Sequence, residues 1–92
     1  MDRITDKRLE NRVATLNKML DRPATSWTRI SGENKANIGN LHISHAYGGV
    51  SLHEMCNDGG GVNDLNGGHG TKRELDTFIS GMMSVLYMQR TN

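Results

Sequence analysis

The sequence predicts an α+β fold: a small antiparallel sheet of three to four strands, flanked by an N-terminal and a C-terminal helix. Three observations predict it. Apolar residues recur at helical spacing near each end of the chain. Between those ends, about residues 26–57 read as short runs with β-branched and aromatic residues, punctuated by glycine and asparagine. A glycine-rich loop over 58–70 then leads into the second helix. At 92 residues the chain is expected to form a single domain, 1–92. A domain this small makes a marginal monomer. With only 35% hydrophobic and 4% aromatic residues, part of the core is expected to lie between subunits, as in a homo-oligomer of closed symmetry.

The first helix spans about 5–20. Leu9, Val13, Leu16 and Leu20 form one stripe, spaced by four, three and four residues as a buried helical face requires. Thr5 or Asp6 can cap its start, and Arg22-Pro23 ends it because a residue before proline leaves the helical region. Lys7, Arg8, Glu10, Arg12 and Lys18 occupy the opposite face, which reads as solvated.

Residues 26–30 alternate as a strand, 31–34 as a turn and 35–38 as a second strand. Gly39-Asn40 reads either as a hairpin turn or as a bulge, since apolar parity shifts across it. Residues 41–47 form the next strand. Val50 to Asn57 pairs back on it through Gly48-Gly49; the competing reading is a helix with Ser51 and Glu54 as its capping box. The last helix, about 72–88, opens on a Thr71/Glu74 capping box and continues with Leu75, Phe78, Ile79, Met82 and Leu86. Met82, Met83 and Met88 suit a core or a subunit contact. Residues 89–92 are expected to fray.

Composition excludes several functions. A net charge of +1 and a pI near 8.0 are not the balance of a duplex binder, so nucleic acid is not an expected partner. No apolar run is long enough to span a membrane, and Met1 to Ile4 precede no apolar signal segment. One cysteine makes no internal disulfide, and a cytoplasmic location is expected.

The chemistry concentrates in residues 38–74, which hold most of the 11 glycines, all four histidines and the single cysteine. Lys72 and Arg73 sit in the first turn of a helix, where cations oppose the dipole by roughly 0.3 kcal/mol or more. Free backbone N–H groups, two cations and a glycine approach describe an anion site. The plainer reading pairs Arg73 with Asp58 or Asp64. Gly59, Gly60 and Gly61 need either left-handed backbone or something lying against them. Asn57 and Asn63 flank that run and can read amide-like edges. Tyr47, beside Gly48 and Gly49, can stack on a base or serve as an ordinary core-edge tyrosine. No phosphate-binding P-loop or dinucleotide fingerprint is present.

His42, His45, His53 and Cys56 mimic the spacing of a zinc site. Strand geometry argues against it, because residues three apart face opposite ways. His53 with Glu54, His69 with Asp64, or Cys56 with a histidine are the enzymatic candidates. Nothing in the sequence ties these groups together, so a non-catalytic binding module without a cofactor is the expectation.

The pattern Asn40, Ile43, Ser44, Ala46, Tyr47, Gly48, Gly49, Leu52, Met55, Asn57, Gly59 to Gly61, Val62, then Lys72 to Leu75, resembles small proteins of tailed bacteriophages and prophages. Among these it is similar to the Thoeris anti-defence sponges, over roughly the C-terminal two-thirds of the chain. The resemblance implies an oligomer in the cytoplasm of an infected bacterial host. It would sequester a cyclic nucleotide immune signal, a cyclic ADP-ribose isomer or a cyclic oligonucleotide, without catalysis. It also implies ligand contacts from an aromatic, an asparagine and an arginine, here Tyr47, Asn57 and Arg73. Two departures stand out. The chain is shorter than those sponges, and Gly68-His69-Gly70 stands where a proline-containing entry is expected. Outside that class, a small zinc-binding module and a phage protein binding a host protein or nucleic acid are the alternatives.

Overall fold

A computed structural model describes residues 3–90, and Thr91 and Asn92 of the expected frayed end lie outside it, as do Met1 and Asp2. The elements run α1 (Asp6–Met19), β1 (Trp27–Ile30), β2 (Glu33–Ala36), β3 (Leu41–Ala46), β4 (Gly49–Met55), β5 (Val62–Asp64) and α2 (Lys72–Arg90). The strands form two antiparallel units, the β1–β2 ribbon and a sheet of order β3-β4-β5. The α+β class holds, with the expected helix at each end. Among the described residues no helix is long and apolar enough to cross a membrane.

Helix α1 starts where Thr5 caps it, its hydroxyl accepting from the Arg8 N–H at 3.1 Å. It ends before Pro23 is reached. Asp21 adopts a left-handed φ of 56°, and the N–H groups of Asp21 and Arg22 return to the carbonyls of Lys18 and Asn17. That is a Schellman stop. Leu9, Val13 and Leu16 are buried as the stripe predicts, against Leu41, Val50, Leu52, Leu75 and Ile79. Leu20, Phe78, Met82 and Leu86 pack at the margin of this core.

The charged face of α1 is not wholly solvated. Arg8 and Arg12 both reach Asp76 of α2, and Arg12 also donates to the Ser80 hydroxyl at 2.9 Å. This seam joins α2 to α1 beside the apolar contact.

Several strand expectations change. The turn between β1 and β2 is only Ser31-Gly32, and β2 stops at Ala36. Gly39-Asn40 is therefore neither a hairpin turn nor a bulge within one strand. Asn40 is buried, its side chain accepting from Ser26 and donating to the Pro23 carbonyl, so it joins the two units. The strand reading of Val50 to Asn57 holds as far as Met55, with Cys56 and Asn57 beyond its end, and its hairpin turns at Tyr47-Gly48, with Gly49 already paired to Ala46. The loop over 58–70 contains β5, whose Val62, Asn63 and Asp64 pair with Met55, Glu54 and His53. All three are exposed, so no apolar alternation marks them.

Helix α1 also holds the sheet through one polar contact. The buried Asn17 amide accepts from the Leu41 N–H at 2.8 Å and donates to the Leu41 carbonyl at 2.9 Å. A side chain thereby pairs both backbone groups of a strand residue. Replacing it with an isosteric apolar group orphans two buried polar atoms. Asn17→Leu should lower unfolding free energy by about 2–4 kcal/mol, read from urea denaturation; a loss below about 0.5 kcal/mol would remove this contact from the account.

Candidate functional site

The β3–β4 pairing sorts side chains onto two faces, since successive residues on a strand alternate. Leu41, Ile43, Val50 and Leu52 face the helices. His42, Ser44, Ser51 and His53 share the other face, opposed as His42 to His53 and Ser44 to Ser51. That second face is polar and ordered. Ser51, wholly buried, lies 2.8 Å from Asp64 and 2.9 Å from Asn66. Asn66 accepts the Leu52 N–H at 2.8 Å. His69 reaches over from the glycine loop, its Nε2 3.0 Å from the Ser44 hydroxyl. The rings of Tyr47, His69, His53 and His42 then form a row, with successive centroids 5.6, 5.6 and 5.9 Å apart and edge-on.

Two features build the approach to α2. The Thr71 hydroxyl accepts from the Glu74 N–H while the Glu74 carboxylate accepts from the Thr71 N–H, both at 3.0 Å. Immediately before it, Gly70 bridges Val50 with N–H to carbonyl bonds of 2.9 Å in each direction. The helix start is thus clamped beside the β3–β4 hairpin tip. Only glycine fits at 49, because a Cβ there would lie 2.6 Å from the Gly70 carbonyl oxygen.

Between hairpin tip and helix start lies a surface cleft of about 450 Å³, lined by Asp6, His45, Gly48, Gly49, Thr71 and Lys72 among others. Lys72 pairs with Asp6 at 3.2 Å. Arg73 is exposed and makes no ion pair among the described residues, so the alternative pairing with Asp58 or Asp64 is not formed. Tyr47 stands next to the cleft, 96% exposed. Its φ of 54° is left-handed, a conformation that costs a non-glycine residue roughly 1–2 kcal/mol. Burial does not offset that cost here, and strain of this kind gathers at functional positions.

The expected ligand set therefore divides. Tyr47, Gly48, Gly49, Lys72 and Arg73 gather at one end of β4. Asn57, Gly59, Gly60 and Gly61 sit past its other end, beyond Met55. Seven strand residues, roughly 20 Å, separate them. The second group has a local task. The Asn57 Oδ1 accepts from the N–H groups of Gly59 and Gly61 at 3.0 and 2.9 Å. Gly60, at φ 88°, lies under the Trp27 ring. What lies against the glycine run is this chain's own Trp27 at Gly60 and its own Asn57 at Gly59 and Gly61.

The metal and acid–base pairings also resolve. His42 and His53 share a face, whereas His45 points to the cleft and Cys56 is exposed. Among the described residues no group of three or more His, Cys, Asp or Glu is placed to hold a metal ion. Glu54 is engaged by Arg22, whose hydrogen bond holds its carboxyl below the usual range despite partial burial. His69 meets Ser44 rather than Asp64, and it is His53 that approaches Asp64, at 3.8 Å. The Ser51 hydroxyl, with backbone N–H groups, keeps Asp64 low. The opposition of Ser44 to Ser51 and of His42 to His53 was not read from sequence, where His45 entered only as a zinc candidate and Ser51 only as a capping residue. The parity of β3 and β4, with serine opposite serine and histidine opposite histidine, is the signal that could have found it.

No family model, curated protein or solved structure matches this chain.

Two outcomes follow from this geometry. Burial, and then the neighbouring His53, lower the pKa of His42 from 6.5. The unfolded chain then binds its proton more readily than the folded one, so stability falls as pH drops below about 6.5. The thermal midpoint should fall between pH 7 and 5, and His42→Gln should flatten that part of the curve; a parallel curve would contradict it. Asn57→Ala should cost about 1–2 kcal/mol of stability through the lost loop hydrogen bonds, measured by urea unfolding.

Proposed function

We propose that the protein binds a small anionic nucleotide in the cleft between the β3–β4 hairpin tip and the start of α2, and holds it without converting it. The observation that carries this reading is Tyr47. It is nearly fully exposed, in left-handed backbone, between Ala46 and Gly48, which line a cleft that runs to a helix start, while its own ring lies edge-on to His69. An exposed ring held at a conformational cost gains by stacking on a base. The cleft volume of about 450 Å³ falls within the range of small-ligand sites.

The electrostatics agree. The unpaired N–H groups at a helix start attract anions, and Arg73 is available as a charged donor. Lys72 can exchange Asp6 for a phosphate at small cost, since an exposed ion pair contributes about 0–1 kcal/mol. The likeness of residues 40–75 to the Thoeris anti-defence sponges narrows the ligand to a cyclic nucleotide immune signal and the role to sequestration during phage infection. Asn57 has no place in this site, because its carbonyl oxygen is committed to the loop.

Titration calorimetry with a cyclic ADP-ribose isomer and with a cyclic dinucleotide tests the reading, with native mass spectrometry checking that bound mass is unaltered. Arg73→Ala should weaken binding by about 1.5–3 kcal/mol and Tyr47→Ala by about 1–3 kcal/mol. Asp6→Asn should tighten it. No heat with any nucleotide, or equal affinity in the Arg73 and Tyr47 variants, would overturn the proposal. One metal per chain with no nucleotide bound would instead favour the zinc module.

A further inference from the structure

We infer that the free edge of β3 is a dimer interface, in which β3 pairs antiparallel with β3 of a second copy about a two-fold axis at Ser44. β3 is an edge strand of the β3-β4-β5 sheet. In an antiparallel pair, opposed residues alternate between exchanging their backbone bonds and turning them away from each other. On β4, Val50 bonds Gly70, and Leu52 bonds Leu65 and Asn66, all on the side away from β3. Their opposites on β3, His45 and Ile43, therefore turn their own N–H and C=O groups outward. Leu41, opposite Glu54, is the third outward residue, and Asn17 occupies it. Ile43 and His45 have no such partner among the described residues.

Natural proteins blunt an edge with lysine, proline, a bulge or a covering element. β3, reading LHISHA, carries neither lysine, acid nor proline. Beside it runs a groove of about 260 Å³ against α1, where Val13, Ala14 and Ile43 give an apolar wall. The edge is also self-complementary. With Ser44 opposite Ser44 of the second copy, Ile43 of each chain meets His45 of the other, giving two exchanging pairs across the axis. Asn17 at one end and the Tyr47-Gly48 turn at the other stop the ladder there, so the contact closes as a dimer and does not propagate.

The chain has surface to give to a second copy. It exposes 6215 Å², about 900 Å² more than a compact monomer of 10.2 kDa is expected to expose; that surplus is spread over the chain and includes the β1–β2 ribbon, exposed except at Ala36, while a standard interface takes roughly 800 Å² from each partner. The radius of gyration, 13.9 Å, likewise exceeds the roughly 12.3 Å of a compact chain of this length.

Sedimentation equilibrium combined with residue-resolved amide hydrogen exchange tests this on the intact protein. The expected result is a particle of twice 10.2 kDa in which the Ile43 and His45 amides are protected, with protection lost on dilution to monomer. His45→Pro removes an outward N–H that makes no bond within the chain, a position where an edge strand tolerates proline. It should raise the dimer dissociation constant roughly 30-fold while leaving the circular dichroism spectrum unchanged. A protein that stays monomeric at millimolar concentration would overturn the inference. So would a dimer whose Ile43 and His45 amides exchange freely, which would move the interface to another face such as the C-terminal half of α2.

Discussion

The start of α2 and the cleft beside it depend on the close approach of Gly49 to Gly70. Two backbone hydrogen bonds between Val50 and Gly70 pin the start of α2 to the first turn of β4. They form only because residue 49 has no Cβ to meet the Gly70 carbonyl. The bridge fixes where α2 begins, and the Thr71/Glu74 capping box fixes its direction. From there Leu75 and Ile79 fall into the core against α1 and β4. The same bridge leaves the hairpin tip and the helix start as the two walls of one cleft.

The sheet carries two different kinds of stabilisation on its two faces. On the helix side the contribution is apolar burial, and the seam of Arg8, Arg12 and Asp76 orients the helices. Burial opposes the Asp76 charge, but the two guanidinium groups outweigh it and hold the carboxyl below its usual range. On the other face, a hydrogen-bonded layer of Ser51, Asp64, Asn66, Ser44 and His69 takes the place of a second helix. Each buried polar atom there has a partner, which is what a thin domain needs if one face is to stay free of apolar cover. Tyr47 is a left-handed, exposed aromatic where asparagine or glycine would relieve the backbone, and Ser31 takes the same conformation at the β1–β2 turn. Such a break in a local rule is where function is expected to reside.

Both helices were legible in the sequence because a 3.6-residue apolar period survives over fourteen and nineteen residues. The capping box at Thr71 and the turn signal near Gly48 were legible for the same reason: the chemistry is local. What was hidden is non-local. β5 has no apolar residue facing the core, so only its pairing with β4 reveals it. Gly59, Gly60 and Gly61 looked like a ligand cradle, yet Gly59 and Gly61 pack on the Asn57 side chain and Gly60 on Trp27, more than thirty residues earlier in the chain. Sequence nearness likewise joined Asn57 to Tyr47 in one site, although seven residues of extended strand carry them to opposite ends of the sheet. The three histidines and tyrosine in a row share no motif: strand register brings His42 to His53, and the hairpin turn and glycine loop bring Tyr47 and His69 to them.

The central claim is that the ligand site lies at the joint between hairpin tip and helix start, and nowhere else on the glycine-rich stretch. Backbone amide chemical shifts followed during titration with a cyclic nucleotide test it most directly. The account predicts saturable shifts confined to residues 45–50 and 70–74, with residues 57–61 unmoved. Shifts centred on 57–61, or spread evenly along the chain, would contradict it.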